Sequence, residues 1–340
     1  MNSKQSPLPQ KLTFKTAWWK RKNTVVIQKN SGPGLDHLNE GDIILKEENG
    51  AVTRLWDISS YENALMVSHQ CNCRCLMCPQ PPQPAPDGLL EFNLRILRLA
   101  KGSQVSNIGL TGGEPLLRPN DLITLLAACK RLFPAASVSI LTNGRRFKDH
   151  SLVKKIAAVN HPRLEFGISL QADHAPIHDA IMGAPGSFRD TVLGLHNLAL
   201  ARQRVEIRVV LMKQNVERLP QLAEFIYRNF PFAVHIAFMG LELTGYAKEN
   251  LDTILIDPTQ YIPQLREAIQ ILHQRDLNVS LFNLPLCLLP PELHPFAKDS
   301  ISPWKKAFLP QCQLCKLQPH CPGLFATSTH QSAAIQPFLP

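Results

Sequence analysis

The sequence predicts an α/β fold: an open, partial (β/α)6 barrel with a small β-rich appendage ahead of it and a Cys-rich extension behind. Three observations predict it. Six short apolar runs alternate with longer amphipathic stretches from about residue 61 onward, and strands alternating with helices imply right-handed crossovers and a parallel sheet. The glycine- and cysteine-bearing motifs fall where those runs end, the edge at which parallel α/β folds bind ligands. Eight of the nine cysteines gather at two places, 71–78 and 287–321.

Length and charge bound the rest. A chain of 340 residues holds one large α/β domain with an appendage, or two modest domains, and is long enough to bury a substantial core. Hydrophobic residues make up 44%, an ordinary share. With no run of about 18 apolar residues, no membrane span is expected. The start, MNSKQSPLPQKLTFK, lacks the apolar stretch of a secretory signal, so the cytoplasm is the expected compartment. There nine cysteines argue for metal ligation over disulfides. The net charge of +9 is uneven: residues 1–30 carry seven Lys/Arg and no acid, leaving 29 basic against 27 acidic residues elsewhere. The excess is read as a solvated arm, with contact to an acidic partner as the alternative; nucleic acid is not the expected partner.

In chain order, 1–60 is expected to be the basic appendage, 61–250 the barrel and 251–340 the extension. Strands at 24–27 and 42–45 flank the turn-rich SGPG at 31–34, and Trp18 and Trp19 are expected to pack the appendage on the barrel. Barrel strands are expected at 64–68, 106–111, 138–142, 164–170, 205–211 and 234–239. Helices are expected near 89–101, 120–132, 151–159, 187–203 and 218–229, with one more near 258–275. PQPPQPAP at 79–86 reads as a stiff extended segment, its Pro84 and Pro86 restricting the entry to the first helix.

The loop after the first barrel strand reads CNCRCLMC, Cys71 to Cys78. Cys71, Cys75 and Cys78 have the spacing C-x3-C-x2-C, and Cys73 stands outside it. Three thiolates on so short a loop can converge on one cubic iron–sulfur cluster. Four cysteines usually hold such a cluster, so one iron is left for another ligand. A structural zinc loop is the alternative. The second strand ends in Gly112-Gly113-Glu114-Pro115, where paired glycines let backbone approach a ligand closely. The third ends in Thr142-Asn143-Gly144, a turn favouring positive φ. The fourth ends in Ser169-Leu170-Gln171 and leads to HDAIMGAPGSF, His178 to Phe188. There Ser187 is expected to cap the next helix, His178 to be a hydrogen-bonded loop residue, and neither it nor Asp179 to carry chemistry. Arg208 faces away from Val209 and is able to pair with a carboxylate or to form a rim salt bridge. Near the C-terminus, Cys312, Cys315 and Cys321 join Cys287. Four thiols suffice for a second, fully ligated cluster or a tetrahedral zinc, with His320 as a substitute ligand. Cys129, in LLAAC, reads as a small core residue.

Together the cysteine loop, GGEP, TNG, SLQ and a G-x-A segment at Gly245 to Ala247 resemble the radical S-adenosylmethionine (radical SAM) superfamily over about 71–250. The C-terminal cysteines resemble the auxiliary-cluster (SPASM or twitch-like) region of its peptide-modifying members. The resemblance implies the partial barrel and a 4Fe–4S cluster on Cys71, Cys75 and Cys78, with S-adenosyl-L-methionine (SAM) chelating the open iron. It implies SAM contacts from Gly112, Gly113 and Glu114 to the amino group and from Thr142 and Asn143 at the mouth. Further contacts come from Ser169 and Gln171 to the ribose, from Arg208 to the carboxylate and from Met77 to the adenine edge. The family usually has Ser-Leu-Asp where this chain has Gln171; an amide still bonds a hydroxyl, without charge assistance. For Met77 the alternative is packing alone. Cys287, Cys312, Cys315 and Cys321 then hold a second 4Fe–4S cluster, or zinc.

More narrowly, CLMCPQP at Cys75 to Pro81, LCLLP at Leu286 to Pro290 and SISPWKKAFLPQCQLC at Ser300 to Cys315 resemble the C component of the His-Xaa-Ser radical SAM maturases. This implies reductive cleavage of SAM to a 5′-deoxyadenosyl radical and hydrogen abstraction from a peptide or protein substrate, here a His-Xaa-Ser repeat protein. The implied partners are a second radical SAM maturase and an electron donor such as flavodoxin or ferredoxin. The alternatives are a radical SAM enzyme acting on tRNA or a small molecule, and a non-catalytic zinc-binding interaction module.

Overall fold

The computed structural model describes residues 10–13, 24–26, 38–46, 51–84, 88–299, 305–327 and 330–339. Four short strands come first: β1 (Gln10–Thr13), β2 (Thr24–Val26), β3 (Ile43–Lys46) and β4 (Val52–Trp56), in the order β2-β1-β3-β4. Trp18, Trp19, the 31–34 turn, Pro86 and nearly all of the basic arm lie outside the described residues. Among the described ones, buried Trp56 joins the appendage to the barrel by stacking on Phe133 at 5.7 Å.

The main sheet contains β5 (Glu62–Ser68), β6 (Asn107–Gly112), β7 (Ser137–Thr142), β8 (Leu164–Ser169), β9 (Arg204–Val210), β10 (His235–Met239), β11 (Val279–Phe282) and β12 (Ala297–Lys298). Each strand pairs in parallel with the next in sequence. Right-handed crossovers between successive neighbours put every helix on the same face, so the sheet curls into an open barrel. The six expected strands are all present. The sheet also runs past residue 250 into β11 and the two-residue β12. Those strands were not legible beforehand: Val279-Ser280-Leu281-Phe282 is short and lies beside the proline-rich NLPLCLLPP, and its pairing with β10 supplies what local propensity does not.

The helices are α1 (Leu89–Leu99), α2 (Pro119–Leu132), α3 (His150–Ala157), α4 (Ala175–Met182), α5 (Ser187–Leu200), α6 (Leu219–Asn229), α7 (Tyr246–Glu249), α8 (Leu251–Ile254) and α9 (Ile262–His273). Proline in the first turn starts α2, α4, α6 and α9, where its missing N–H costs nothing. Asp149 caps α3 by accepting from the Ser151 N–H at 2.9 Å. His178 lies not in a loop but on the helix α4, opened by Pro176 and closed by Gly183 in the left-handed conformation. Ser187 is not the cap of α5. Asp179 takes that role, accepting from the N–H groups of Gly186 and Phe188 and from the Ser187 hydroxyl at 2.6, 2.7 and 2.8 Å.

In β9, Val205, Ile207 and Val209 are fully buried against the helices, while Glu206, Arg208 and Val210 are half-buried on the other face. The strand β7 alternates in the same way. A parallel sheet covered by helices on both faces reads as continuous apolar runs; this alternation marks an inner face left to polar side chains. After β12 the chain forms a small hairpin, β13 (Lys306–Ala307) with β14 (Leu324–Phe325). No helix among the described residues is long and apolar enough to cross a membrane.

Candidate metal centre at the barrel mouth

The loop from Cys71 to Cys78 leaves the end of β5 and lies across the ends of the following strands. Other elements hold it through main-chain bonds. From the end of β6, the Gly113 N–H donates to the Ser68 carbonyl and the Glu114 N–H to the Gln70 carbonyl, both at 2.7 Å. A Cβ on Gly113 would lie 2.2 Å from the Gln70 oxygen, so close approach to the loop already requires this glycine. From the other side, the C-terminus of α4 offers its orphan carbonyls: Arg74 N–H donates to Met182 at 3.0 Å and Leu76 N–H to Ile181 at 2.9 Å. Gly183 has φ +56, and a Cβ there would sit 2.3 Å from the Arg74 oxygen. After β10, the Tyr246 N–H donates to the Cys78 carbonyl at 2.9 Å and the Asn250 amide to Leu76 at 3.1 Å.

The fourth hold comes from the turn after β7. Asn143 Nδ2 donates to Asn72 Oδ1 at 2.7 Å, and Arg145 Nη1 to the Asn72 carbonyl at 2.8 Å. Beneath that turn Glu114 is fully buried. Its carboxylate accepts from the Thr142 hydroxyl at 2.6 Å and from the N–H groups of Asn143 and Leu116 at 2.9 Å each. Burial raises the Glu114 pKa against the pull of these three donors. Three of the roughly four acceptor positions of a carboxylate are thus used by the protein, and they fix the Thr142–Asn143 turn against the Gly112–Gly113 turn.

Cys71, Cys75 and Cys78 are half-buried and Cys73 is buried. Contact with Cys73, then burial, raises the Cys71 pKa, and burial raises that of Cys78. The Cys73 thiol lies between those of Cys71 and Cys75 and faces Asn143 Nδ2 at 3.4 Å and Arg145 Nη1 at 3.8 Å. Met77 is buried in a small cluster with Ile181, Met182, Met212 and Ala247.

Ser169 ends β8 in register with Arg208. The Gln171 side-chain oxygen accepts from the Val210 N–H at 2.9 Å, while its buried Nε2 has no partner among the described residues. Arg208 pairs with Glu206 at 3.1 Å. Glu206 in turn meets His235 Nδ1 at 2.7 Å, and His235 Nε2 meets Ser280 Oγ at 2.9 Å, a polar chain across three strands of the inner face. The His235 contact and the Arg208 charge outweigh burial and lower the Glu206 pKa.

Cys287, Cys312, Cys315 and Cys321 line one cavity, otherwise walled mainly by apolar side chains; His320 does not line it. Lys305 pairs with Glu242 at 2.9 Å and ties this unit to the loop after β10. Among the described residues no three His, Cys, Asp or Glu are packed closely enough to hold a single metal ion. A tetrahedral zinc sets its sulfurs about 3.8 Å apart, given 2.3 Å bonds, whereas a cluster gives each thiolate its own iron. Both thiol sets fit the donor chemistry of iron–sulfur clusters.

Asn72, Arg145, Ile181, Met182, Tyr246 and Asn250 were not singled out in the sequence, and all grip the loop. Asn72, Ile181, Met182 and Tyr246 lie inside the motifs, and the span from Pro176 to Gly183 reads as a helix with both ends marked.

The profile of the Radical SAM superfamily matches residues 65–226. The chain is 24% identical over 160 residues to the antilisterial bacteriocin subtilosin biosynthesis protein AlbA of Bacillus subtilis, covering 46% of this chain and 35% of that protein. It is 26% identical over 163 residues to a probable GTP 3′,8-cyclase of Saccharolobus islandicus, covering 47% and 51%. The matches thus span about half or less of these curated relatives. Among solved structures, Streptococcus suis SuiB superposes with a TM-score of 0.55 at 24% identity over 68% of this chain and 52% of that one. SuiB bound to S-adenosylmethionine gives 0.53 at 22%, over 71% and 51%. Native anSMEcpe with bound AdoMet and a peptide gives 0.50 at 15%, over 64% and 62%.

Proposed function

We propose that this chain, whose residues 65–226 form a radical SAM superfamily domain, is a radical SAM enzyme acting on a peptide or protein. The observation that carries the reading is the C-x3-C-x2-C loop held at a barrel mouth by main-chain bonds from the ends of β6, α4 and β10. Cys71, Cys75 and Cys78 would hold a 4Fe–4S cluster and leave one iron for SAM. When bound, cluster and SAM supply reductive cleavage of the C5′–S bond, giving a 5′-deoxyadenosyl radical that takes a hydrogen atom from substrate.

The chain's own work is binding, orientation and exclusion of water. Gly112 and Gly113 keep the backbone low beside the SAM amino group, and Glu114, Thr142 and Asn143 hold that edge rigid. Ser169 and Gln171 Nε2, which has no partner among the described residues, serve the ribose. Met77 serves the adenine edge. Arg208 meets the SAM carboxylate only in competition with Glu206, its partner in the structure. Cys287, Cys312, Cys315 and Cys321 would hold a second 4Fe–4S cluster.

A peptide substrate is supported by likeness to a bacteriocin biosynthesis protein and by the shared fold of an enzyme solved with AdoMet and a peptide together. The narrower assignment, a His-Xaa-Ser maturase working beside a second radical SAM enzyme with a flavodoxin or ferredoxin donor, rests on the 75–81, 286–290 and 300–315 segments. Residues 300–304 lie outside the described ones. A small nucleotide is the second reading, favoured by likeness to the probable GTP 3′,8-cyclase.

The test is anaerobic reconstitution with iron and sulfide, then SAM and reductant. Wild type should release 5′-deoxyadenosine, and Cys75→Ala should release none. Fully loaded wild type yielding none refutes the reading. Coexpression with a His-Xaa-Ser repeat partner should change the partner's mass; an unchanged partner and consumed GTP would select the second reading.

A further inference from the structure

The second cysteine site has a wall that the cysteine spacing does not announce, made by residues 335–338, past the last cysteine. Ile335 is buried, and Gln336, Pro337 and Phe338 line the cavity with it. The Phe338 N–H donates to Cys315 Sγ at 3.4 Å, and the Gln336 N–H points at the Cys287 thiol. The Lys316 N–H returns a bond to the Phe338 carbonyl at 2.9 Å. The Phe338 ring meets His294 edge-on at 6.2 Å, and His294 is fixed by the carbonyls of Leu286 and Leu289, both at 3.0 Å. The segment is therefore tied to both cysteine-bearing loops it covers. On the far side, the N–H groups of Leu286 and Gly323 reach Cys321 Sγ at 3.5 and 3.4 Å.

Hydrogen bonds to ligand sulfur and exclusion of water are what set the potential and lifetime of an iron–sulfur centre. Four thiols leave no iron free, and the lining offers almost nothing polar for a peptide to bind. We propose that residues 335–338 cap one side of the second site, completing its N–H···S set and shielding it as a fully ligated electron carrier, not a substrate-binding centre. The proposal rests on the reading that these thiols hold an iron–sulfur cluster.

The test uses the full chain carrying Cys71→Ala, Cys75→Ala and Cys78→Ala, so that only the second set remains, reconstituted anaerobically. It is compared with the same chain ending at residue 334 and with the same chain carrying Phe338→Pro, which removes one N–H donor and the ring but keeps the rest of the segment. Iron and sulfide per chain, iron release to bathophenanthroline and the midpoint potential are read. The parent should bind iron and sulfide and release them slowly. The truncated chain should release iron faster, in line with the roughly ten- to hundredfold loss of metal affinity usual for a lost outer contact. Phe338→Pro should keep the iron and lower the midpoint. Release rates and potentials equal in all three chains overturn the cap while leaving the cluster standing. A parent that takes up zinc, or no iron and sulfide, overturns the cluster and the cap with it.

Discussion

Acid should loosen the cysteine loop through His178. This residue lies on α4, is fully buried, and accepts the Gln171 N–H on Nδ1 at 3.1 Å. That bond needs the neutral ring, because a protonated ring turns a second donor on the N–H. Burial, with Asp179 opposing it and the Arg145 charge adding to it, lowers the pKa from 6.5 to about 4. The unfolded chain therefore takes up its proton first as pH falls. Stability is full above pH 6.5, falls through the window down to pH 4, and changes no further below it. At 1.36 kcal/mol per pKa unit the whole window is worth about 3 kcal/mol, of which roughly 2 kcal/mol is lost by pH 5. The comparison is His178→Asn, which offers an oxygen near the Nδ1 position and does not titrate. Urea unfolding of the metal-free, thiol-reduced chain at pH 7 and pH 5 gives both values. Wild type should lose roughly 2 kcal/mol more than the variant between the two. Equal losses would show that the buried ring is not what couples acid to the fold.

Two more outcomes follow from the clamps. Gly183→Ala puts a methyl 2.3 Å from the Arg74 carbonyl in a left-handed conformation. The conformation alone costs about 1–2 kcal/mol, and iron uptake at the first site should fall while the second site keeps its own; full loading of both sites in an iron and sulfide assay would contradict the clamp. Glu114→Gln leaves one acceptor oxygen where the carboxylate had two, so one buried donor goes unpaired at about 1–3 kcal/mol. Hydrogen exchange should quicken at the Asn143 amide, and unchanged protection there would show that the turn stands without the carboxylate.

What the sequence made legible follows the range of the forces involved. The six strands and their helices were readable because apolar periodicity is local and repeated. The helix α4 was hidden by its motif, since HDAIMG draws the eye to His and Asp while the helix signal lies in Pro176 and Gly183. The strand β11 was hidden by its brevity. At the site, the spacing C-x3-C-x2-C is what singles out three of the loop's four thiols as candidates. The grip of Asn72, Arg145 and Tyr246 on the loop was not, because each bond joins residues far apart in the chain and most use backbone atoms, which carry no letter in a sequence. Glu114 shows the opposite case: a conspicuous carboxylate beside paired glycines, which also braces the neighbouring turn from inside the protein.

The grip on the loop also says how the first site relates to folding. In a zinc finger the metal's binding energy is the folding energy, because nothing else orders the ligands. Here the backbone from Ser68 to Cys78 is bonded to the ends of β6, α4 and β10 and to the turn after β7 by the protein's own hydrogen bonds. The two carbonyls from α4 belong to the negative end of that helix, and the Cys71 and Cys78 thiols are pushed toward the protonated form. The loop is thus ordered by its neighbours. Iron arriving there would displace thiol protons from a frame already built, and would spend little of its binding energy on shaping the loop. That division of labour would suit the proposed cluster with one iron left open, since a ligand set held by the fold needs no fourth cysteine to stay in place.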